Sequence, residues 1–318
     1  MLDDSDRWQL LEGGRVAVLG AGLMGHAIAA IFVNAGYDVT CVEPDASTRE
    51  SLAKRVDDVI AQLPAGATTT RTISAVSDPS ELDPATLLVV EAAPEQLALK
   101  QELLSRIAKI CPDAVLATNT SVYRVGDVGA LVDDRSRVIG THWWNPPHLI
   151  PLVEVIQGSE TNPAIVTGMT ALLRSLGKTP VHVQKDTPGF IGNRLQHALW
   201  REAMALIQEG ICDATAVDVV VRNSIGLRLS EVGPIENADY VGLDLTRSIH
   251  EYVFPSLSTA QKPLPILEEA VAAGHLGAKT GRGLLEWPEG AREATGRRLA
   301  ARVKLLTSLI GTDHASTQ

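Results

Sequence analysis

R-V-A-V-L-G-A-G-L-M-G, from Arg15 to Gly25, is an apolar strand that runs into glycines spaced G-x-G-x-x-G. Helical spacing follows from Met24 to Ala35, and a second apolar run, Asp38 to Glu43, ends in a carboxylate. Each glycine meets a separate requirement. Gly20 allows the tight turn, Gly22 lets backbone approach a pyrophosphate, and Gly25 lets the helix pack closely on the strand. Leu23 and Met24 lie at the helix N-terminus, where unpaired N–H groups and the positive end of the dipole suit phosphate. Strand, turn, helix and second strand in this order predict a dinucleotide site at Gly20, Gly22, Leu23, Met24 and Gly25. Glu43 is placed to accept hydrogen bonds from an adenosine ribose and would repel a 2′-phosphate, which predicts NAD rather than NADP. Arg49 is read as a solvated charge on the helix that follows.

Outward from this unit, short apolar runs recur at Thr70 to Val76, Leu87 to Glu91, Ala114 to Thr118, Arg137 to His142, Leu152 to Ile156 and Pro180 to Gln184. Helical spacing separates them at Ser47 to Leu63, Glu95 to Ile110 and Ala164 to Leu176. That alternation predicts an α/β fold of Rossmann type, with a mostly parallel sheet covered on both faces. The link from His142 to Leu152 is too short for a crossover helix, so the last part of the sheet is expected to be antiparallel.

After Gln184 the pattern becomes helical throughout. Asp186 or Thr187 is the expected cap of a helix with Pro188 in its first turn, running to Gly210. Further helices are expected from Asp213 to near Gly226 and at Tyr240 to Val253, Leu264 to Ala273 and Ala291 to Leu309. The predicted organisation is a nucleotide-binding domain over 1–185 and an all-helical C-terminal domain over 186–318, with a cleft between them. The first dozen residues read as a frayed extension.

Composition narrows the class of function. The 318 residues carry a formal charge of −10, which argues against nucleic acid and against anionic membrane surfaces as partners. The apolar stretch Val16 to Val33 approaches the ~18 residues of a membrane span, but its glycines and its shift to helical spacing fit a strand turning into a buried helix. Cys41, Cys111 and Cys212 match no metal or disulfide spacing, so no metal site is expected and the reducing cytoplasm is the expected compartment.

Thr141 to Ile156 reads T-H-W-W-N-P-P-H-L-I-P-L-V-E-V-I. A hairpin symmetric about His148 would oppose His142 and Glu154 across two antiparallel strands, about 5 Å apart at their β-carbons. A carboxylate there would fix the imidazole tautomer and stabilise an imidazolium. The alternative is a strand histidine beside an ordinary salt-bridge glutamate. Asn119, Thr120 and Ser121 follow a strand at the carboxyl edge, where open α/β sheets bind ligands, or they form a helix-capping turn. Asn193 lies beside the P-G-F turn Pro188 to Phe190, as a ligand contact or as an exposed helix polar. On a helical wheel Trp200 falls within ~20° of Asn193 and Arg201 ~80° away, so Trp200 is the stronger candidate to line a pocket. Arg201 or Arg228 could meet a substrate carboxylate, or be surface arginines. His148 is read as a structural or rim residue.

Together these segments resemble the 3-hydroxyacyl-CoA dehydrogenase family. The motifs are G-A-G-L-M-G, A-T-N-T-S, T-H-W-W-N-P-P-H, L-V-E-V-I, D-T-P-G-F-I-G-N-R and G-A-K-T-G-R-G, and they span Gly20 to about Trp287. The resemblance implies a catalytic set of Ser121, His142, Glu154 and Asn193, and NAD contacts at Glu95, Lys100, Asn145 and Lys279, with Asn119 beside them. It also implies a homodimer formed through the C-terminal domain.

Members that bind coenzyme A carry a longer basic helical hairpin where this chain has Asp45 to Pro84, whose basic residues are chiefly Arg49, Lys54, Arg55 and Arg71. The W-W-N-P-P-H-L-I-P loop and L-W-R-E-A at Leu199 to Ala203 look nearer the gulonate, carnitine and pyridine-carboxylate branch. The expected function is NAD-dependent hydride transfer to or from a small 3-hydroxy acid or related polar alcohol. A 3-hydroxyacyl-CoA dehydrogenase and a non-catalytic, crystallin-like NAD-binding protein are the alternatives.

Overall fold

The computed structural model describes residues 14–64 and 72–313, and the side chains of 310–313 are not included. The expected N-terminal extension, Thr70 and Arg71 lie outside the described residues. The chain divides into two compact units that meet between Arg194 and Leu195, further along than the change in sequence texture at 185–186.

In the first unit, strands β1 (Arg15–Leu19), β2 (Asp38–Val42), β3 (Ile73–Val76), β4 (Leu88–Glu91), β5 (Val115–Thr118), β6 (Val138–Trp143), β7 (Leu152–Ile156) and β8 (Thr179–Val183) form one sheet. Its order is β3-β2-β1-β4-β5-β6-β7-β8. The expected antiparallel step is the β6–β7 pair, with His142 opposite Glu154. β8 runs parallel to β7 because a helix spans the crossover between them.

The helices of this unit are α1 (Gly25–Asn34), α2 (Ala46–Glu50), α3 (Leu52–Ile60), α4 (Leu97–Ile110), α5 (Val125–Val128) and α6 (Pro163–Ser175). The single helix expected over Ser47 to Leu63 is two, joined at Ser51, and Asp45 caps the first by accepting from Thr48 N at 2.7 Å. Asn162 caps α6 in the same way, accepting from Ala164 N with Pro163 at the first position.

Alternation along the strands supplies two cores. Val16, Val18, Val39, Cys41, Val90 and Ile139 face α1, α3 and α6, while Ala17, Leu19, Val89, Leu116 and Val138 face α4 and α5. A fully buried side chain such as Phe32 contributes about 1.5–3 kcal/mol through the water its surface sheds.

The second unit continues α7 (Gly192–Gln208) and adds α8 (Ala214–Asn223), α9 (Ile225–Arg228), α10 (Pro234–Val241), α11 (Leu243–Val253), α12 (Pro265–Ala272) and α13 (Ala291–Asp313). α7 does not begin at a cap on Asp186 or Thr187, as the sequence suggests. Gly189 and Phe190 take left-handed backbone with φ of 73° and 52°, which no helix can include, so the helix starts two residues beyond Phe190. The Asp186 carboxylate instead accepts from Val125 N and Gly126 N, each at 2.9 Å. Asp213 does cap α8, and Gly242 at φ 100° separates α10 from α11. This unit exposes much apolar surface, including Ile235, Tyr240, Leu243, Ile249 and Tyr252.

Gly140 in β6 sits where the sheet meets α5. A Cβ there would stand 2.8 Å from Val125 Cγ2 and 2.9 Å from Ile156 Cβ. Gly140→Ala should therefore cost about 1–3 kcal/mol of stability, read as a lowered urea midpoint at unchanged slope. An unchanged midpoint would mean that these neighbours move aside freely.

Candidate active site

The glycine turn has the shape its spacing suggests. A Cβ on Gly20, at φ 90°, would stand 2.8 Å from Ala92 O, and one on Gly25 would stand 1.8 Å from Gly20 O. At Gly22 nothing lies within 4 Å, so that backbone is open to a ligand. No side chain caps α1, whose N-terminus begins beside the exposed Leu23 and the partly buried Met24. The Glu43 carboxylate accepts from Ala21 N at 2.9 Å and from Asp45 N at 3.0 Å. Arg49 is not simply solvated: it donates to Glu43 O and Pro44 O, each at 2.7 Å. Arg55 donates to Ala21 O at 2.7 Å and Thr48 O at 2.8 Å, and Lys54 pairs with Asp58 at 2.6 Å. An open glycine turn, an uncapped helix and a carboxylate at the end of β2 fit a dinucleotide that lacks a 2′-phosphate.

His142 and Glu154 are both buried, and His142 Nδ1 lies 2.7 Å from Glu154 Oε2. The other carboxylate oxygen accepts from Ile191 N at 2.9 Å and Gly192 N at 3.0 Å. Burial opposes ionisation of Glu154, but the His142 ring and the Gly192 and Ile191 N–H groups outweigh it and hold the carboxyl below its ordinary value. Rings of Trp144 and Phe190 flank the imidazole with centroids at 5.3 and 5.7 Å. Gly192 accommodates Trp144, since a Cβ there would lie 2.3 Å from its Cζ2. The left-handed Phe190 turns the next N–H groups onto Glu154, a backbone concavity for an anion.

Ser121 and Asn193 also meet. Asn193 Nδ2 donates to Ser121 O at 2.7 Å, and Ser121 N donates to Glu95 Oε1 at 3.1 Å. Asn119, by contrast, spends its side-chain oxygen on Trp143 N at 2.9 Å, tying β5 to the end of β6. Lys100 is buried, with its ammonium 2.8 Å from Glu91 Oε1, 3.1 Å from Ala93 O and 3.2 Å from Glu95 Oε2. Those contacts match its three donors.

Asn145 is exposed in the loop after β6, and Lys279 is exposed in the loop bridged by Gly277 and Arg282. Trp200 is half-exposed on α7, with His197 edge-on at 5.0 Å, and Arg201 and Arg228 are exposed on α7 and α9. Phe190, Trp144, Glu91 and Lys178 escaped the sequence reading. For Phe190 the P-G-F turn carried a signal, whereas the lysine of G-K-T at Gly177 to Thr179 carries none. Lys178 Nζ reaches Pro147 O at 2.5 Å and Ile150 O at 3.3 Å, and lies 5.7 Å from the Trp143 ring. It braces the loop between β6 and β7. Among the described residues no three His, Cys, Asp or Glu side chains are grouped to hold a metal, and no helix is long and apolar enough to cross a membrane.

Sheet, glycine turn and acidic β2 terminus define an NAD-dependent dehydrogenase built from a Rossmann-type domain and a helical C-terminal domain. The chain belongs to the 3-hydroxyacyl-CoA dehydrogenase family: residues 15–187 match its NAD-binding domain and residues 189–287 its C-terminal domain. It is 35% identical over 279 residues to 5-formyl-3-hydroxy-2-methylpyridine 4-carboxylate 5-dehydrogenase of Mesorhizobium japonicum, covering 85% of this chain and 89% of the relative. It is 34% identical to L-carnitine dehydrogenase of Streptomyces griseus, over 86% of this chain and 85% of that one. A solved structure of the pyridine-carboxylate enzyme, an NAD+-dependent dismutase, superposes with a TM-score of 0.88 at 28% identity, over 93% of this chain and 98% of that one.

Burial lowers Lys178 from 10.5 to about 8. Between those values the unfolded chain binds more protons than the folded one, so this lysine makes stability rise with pH across that window. Lys178→Met should remove that rise, measured as urea midpoints at about pH 7.5 and about pH 10. An equal rise in the variant would assign it to other groups.

Proposed function

We propose that the protein transfers hydride between NAD and the hydroxyl-bearing carbon of a small 3-hydroxy acid or related carboxylated alcohol, with His142 and Glu154 as its base. The observation that carries this reading is the buried 2.7 Å contact between His142 Nδ1 and Glu154 Oε2. With Nδ1–H committed to the carboxylate, Nε2 is the atom that takes the proton. NAD supplies the hydride acceptor. As hydride leaves the carbon, the substrate hydroxyl acidifies, and His142 Nε2 accepts its proton while Glu154 stabilises the imidazolium. Ser121 and Asn193 orient the substrate oxygen and donate to it as charge develops. In reduction His142 returns the proton.

Gly20, Gly22, Leu23, Met24, Gly25 and Glu43 hold the cofactor in this reading, with Glu95, Lys100, Asn119, Asn145 and Lys279 contributing around its nicotinamide half. Trp200 lines the substrate pocket, and Arg201 or Arg228 meets the carboxylate. Residues 1–185 act as the cofactor domain and 186–318 as the substrate and dimerisation domain, in the cytoplasm. A free acid is favoured over a CoA thioester because Arg49 and Arg55 are engaged with backbone carbonyls and Lys54 pairs with Asp58, so these cations do not form a cluster aimed at a nucleotide phosphate. Both similar relatives named above carry substrates without coenzyme A in their names.

NADH absorbance against L-gulonate, carnitine, hydroxymethylpyridine carboxylates, 3-hydroxybutyrate and its CoA thioester should show turnover on a free carboxylated alcohol. Activity on the thioester alone would overturn the substrate class, and NADH binding without any turnover would favour the structural alternative. His142→Gln should abolish turnover and leave NADH affinity nearly intact, and retained activity would remove His142 from its role.

The protein is a homodimer in this proposal, supported by Tyr240 and Tyr252, each 87% exposed on α10 and α11. Sedimentation should give twice the monomer mass, and Ile249→Asp should shift it to monomer. A monomeric parent protein would defeat the proposal.

A further inference from the structure

Glu91 ends β4 with a carboxylate that is fully buried. One oxygen, Oε1, accepts from Lys100 Nζ at 2.8 Å and from Ala93 N at 2.7 Å. The other accepts from Thr118 Oγ1, the last residue of β5, at 2.7 Å. From these contacts two routes lead to the same turn. Through Thr118, whose hydroxyl oxygen accepts from Thr120 N at 3.2 Å, Glu91 holds the backbone of the residue before Ser121. Through Lys100, 3.2 Å from Glu95 Oε2, it holds the carboxylate that accepts from Thr120 Oγ1 and from Ser121 N. Glu91, Thr118, Thr120, Glu95 and Lys100 thus close a ring of hydrogen bonds beneath Ser121, whose carbonyl accepts from Asn193.

The geometry points to Glu91 and Thr118 as positioning residues that set the Ser121–Asn193 pair. This rests on the proposed hydride-transfer reading. It gives Lys100 a place in the ring, acting on the reaction through Glu95 and the turn. A closed ring has no end at which the turn can slip, because moving Ser121 lengthens bonds on both routes. Glu91, Lys100, Thr118 and Thr120 are buried, and at low local dielectric hydrogen bonds reinforce each other and an unpaired one is costly, while Glu95 closes the ring at the surface. An ordinary structural ion pair would need neither the Thr118 hydroxyl nor a second oxygen shared with it.

Thr118→Val removes the hydroxyl at nearly constant volume, Thr118→Ser restores it, and Glu91→Gln removes the nearer of the two carboxylate charges that Lys100 meets. Thr118→Val and Glu91→Gln should each lower kcat by about tenfold or more, since small displacements at a reacting centre are amplified. Their NADH dissociation constants, by fluorescence, should stay within about threefold of the parent, and Thr118→Ser should recover kcat to a similar margin. Amide exchange at Thr120 and Ser121 should quicken in Thr118→Val. That readout needs no turnover, so a failure of the hydride-transfer reading, seen as an inactive parent protein, is separable from a failure of the ring. If Glu91→Gln does not fold, the Thr118 pair decides. NADH affinity falling as far as kcat would assign the ring to the cofactor, and a Thr118→Val protein with parental kcat and amide protection would overturn the proposal.

Discussion

The contact on which the site depends is made by one carboxylate facing two ways. Glu154 reaches across the antiparallel β6–β7 step to His142, and with its other oxygen it binds Ile191 N and Gly192 N at the start of α7. A buried carboxylate left without such donors would be strongly disfavoured. The antiparallel step, the left-handed Phe190 and the start of α7 are therefore parts of one arrangement. Asn193 follows directly on the N–H groups that Glu154 holds, so the spacing between imidazole and amide is set through that side chain.

Much of this was legible. The glycine turn and the run to Glu43 indicated a nucleotide site because each residue there answers a separate steric or electrostatic demand. The His142–Glu154 register was legible because a hairpin's side-chain period leaves only one pairing once the loop centre is chosen. Long-range partners were not. Nothing local to Asp186 says that its carboxylate binds α5 rather than its own chain, and nothing near Lys100 says that Glu91 will be buried against it. The split of the helices at Ser51 and Gly242 reflects local backbone conformations that periodicity does not register.

The loop from Trp144 to Pro151 is fastened at both ends by groups from elsewhere in the chain. Asn119 holds Trp143 N, and Lys178 holds the Pro147 and Ile150 carbonyls. Trp144 leans on both the imidazole and the bare Gly192, so its position reports on the site. These contacts set the loop beside His142, with the Trp144 ring against the imidazole.

The Glu43 carboxylate has a consequence for cofactor exchange. Its oxygens already hold Ala21 N in the glycine turn and Asp45 N at the next helix cap. In the proposed cofactor site, replacing it with a neutral or basic residue to admit a 2′-phosphate would remove the repulsion and at the same time unfasten the glycine turn at Ala21. Under that proposal cofactor preference is tied to the architecture of the loop, and converting this scaffold to the phosphorylated dinucleotide would require a substitute tether for Ala21 as well as a new charge.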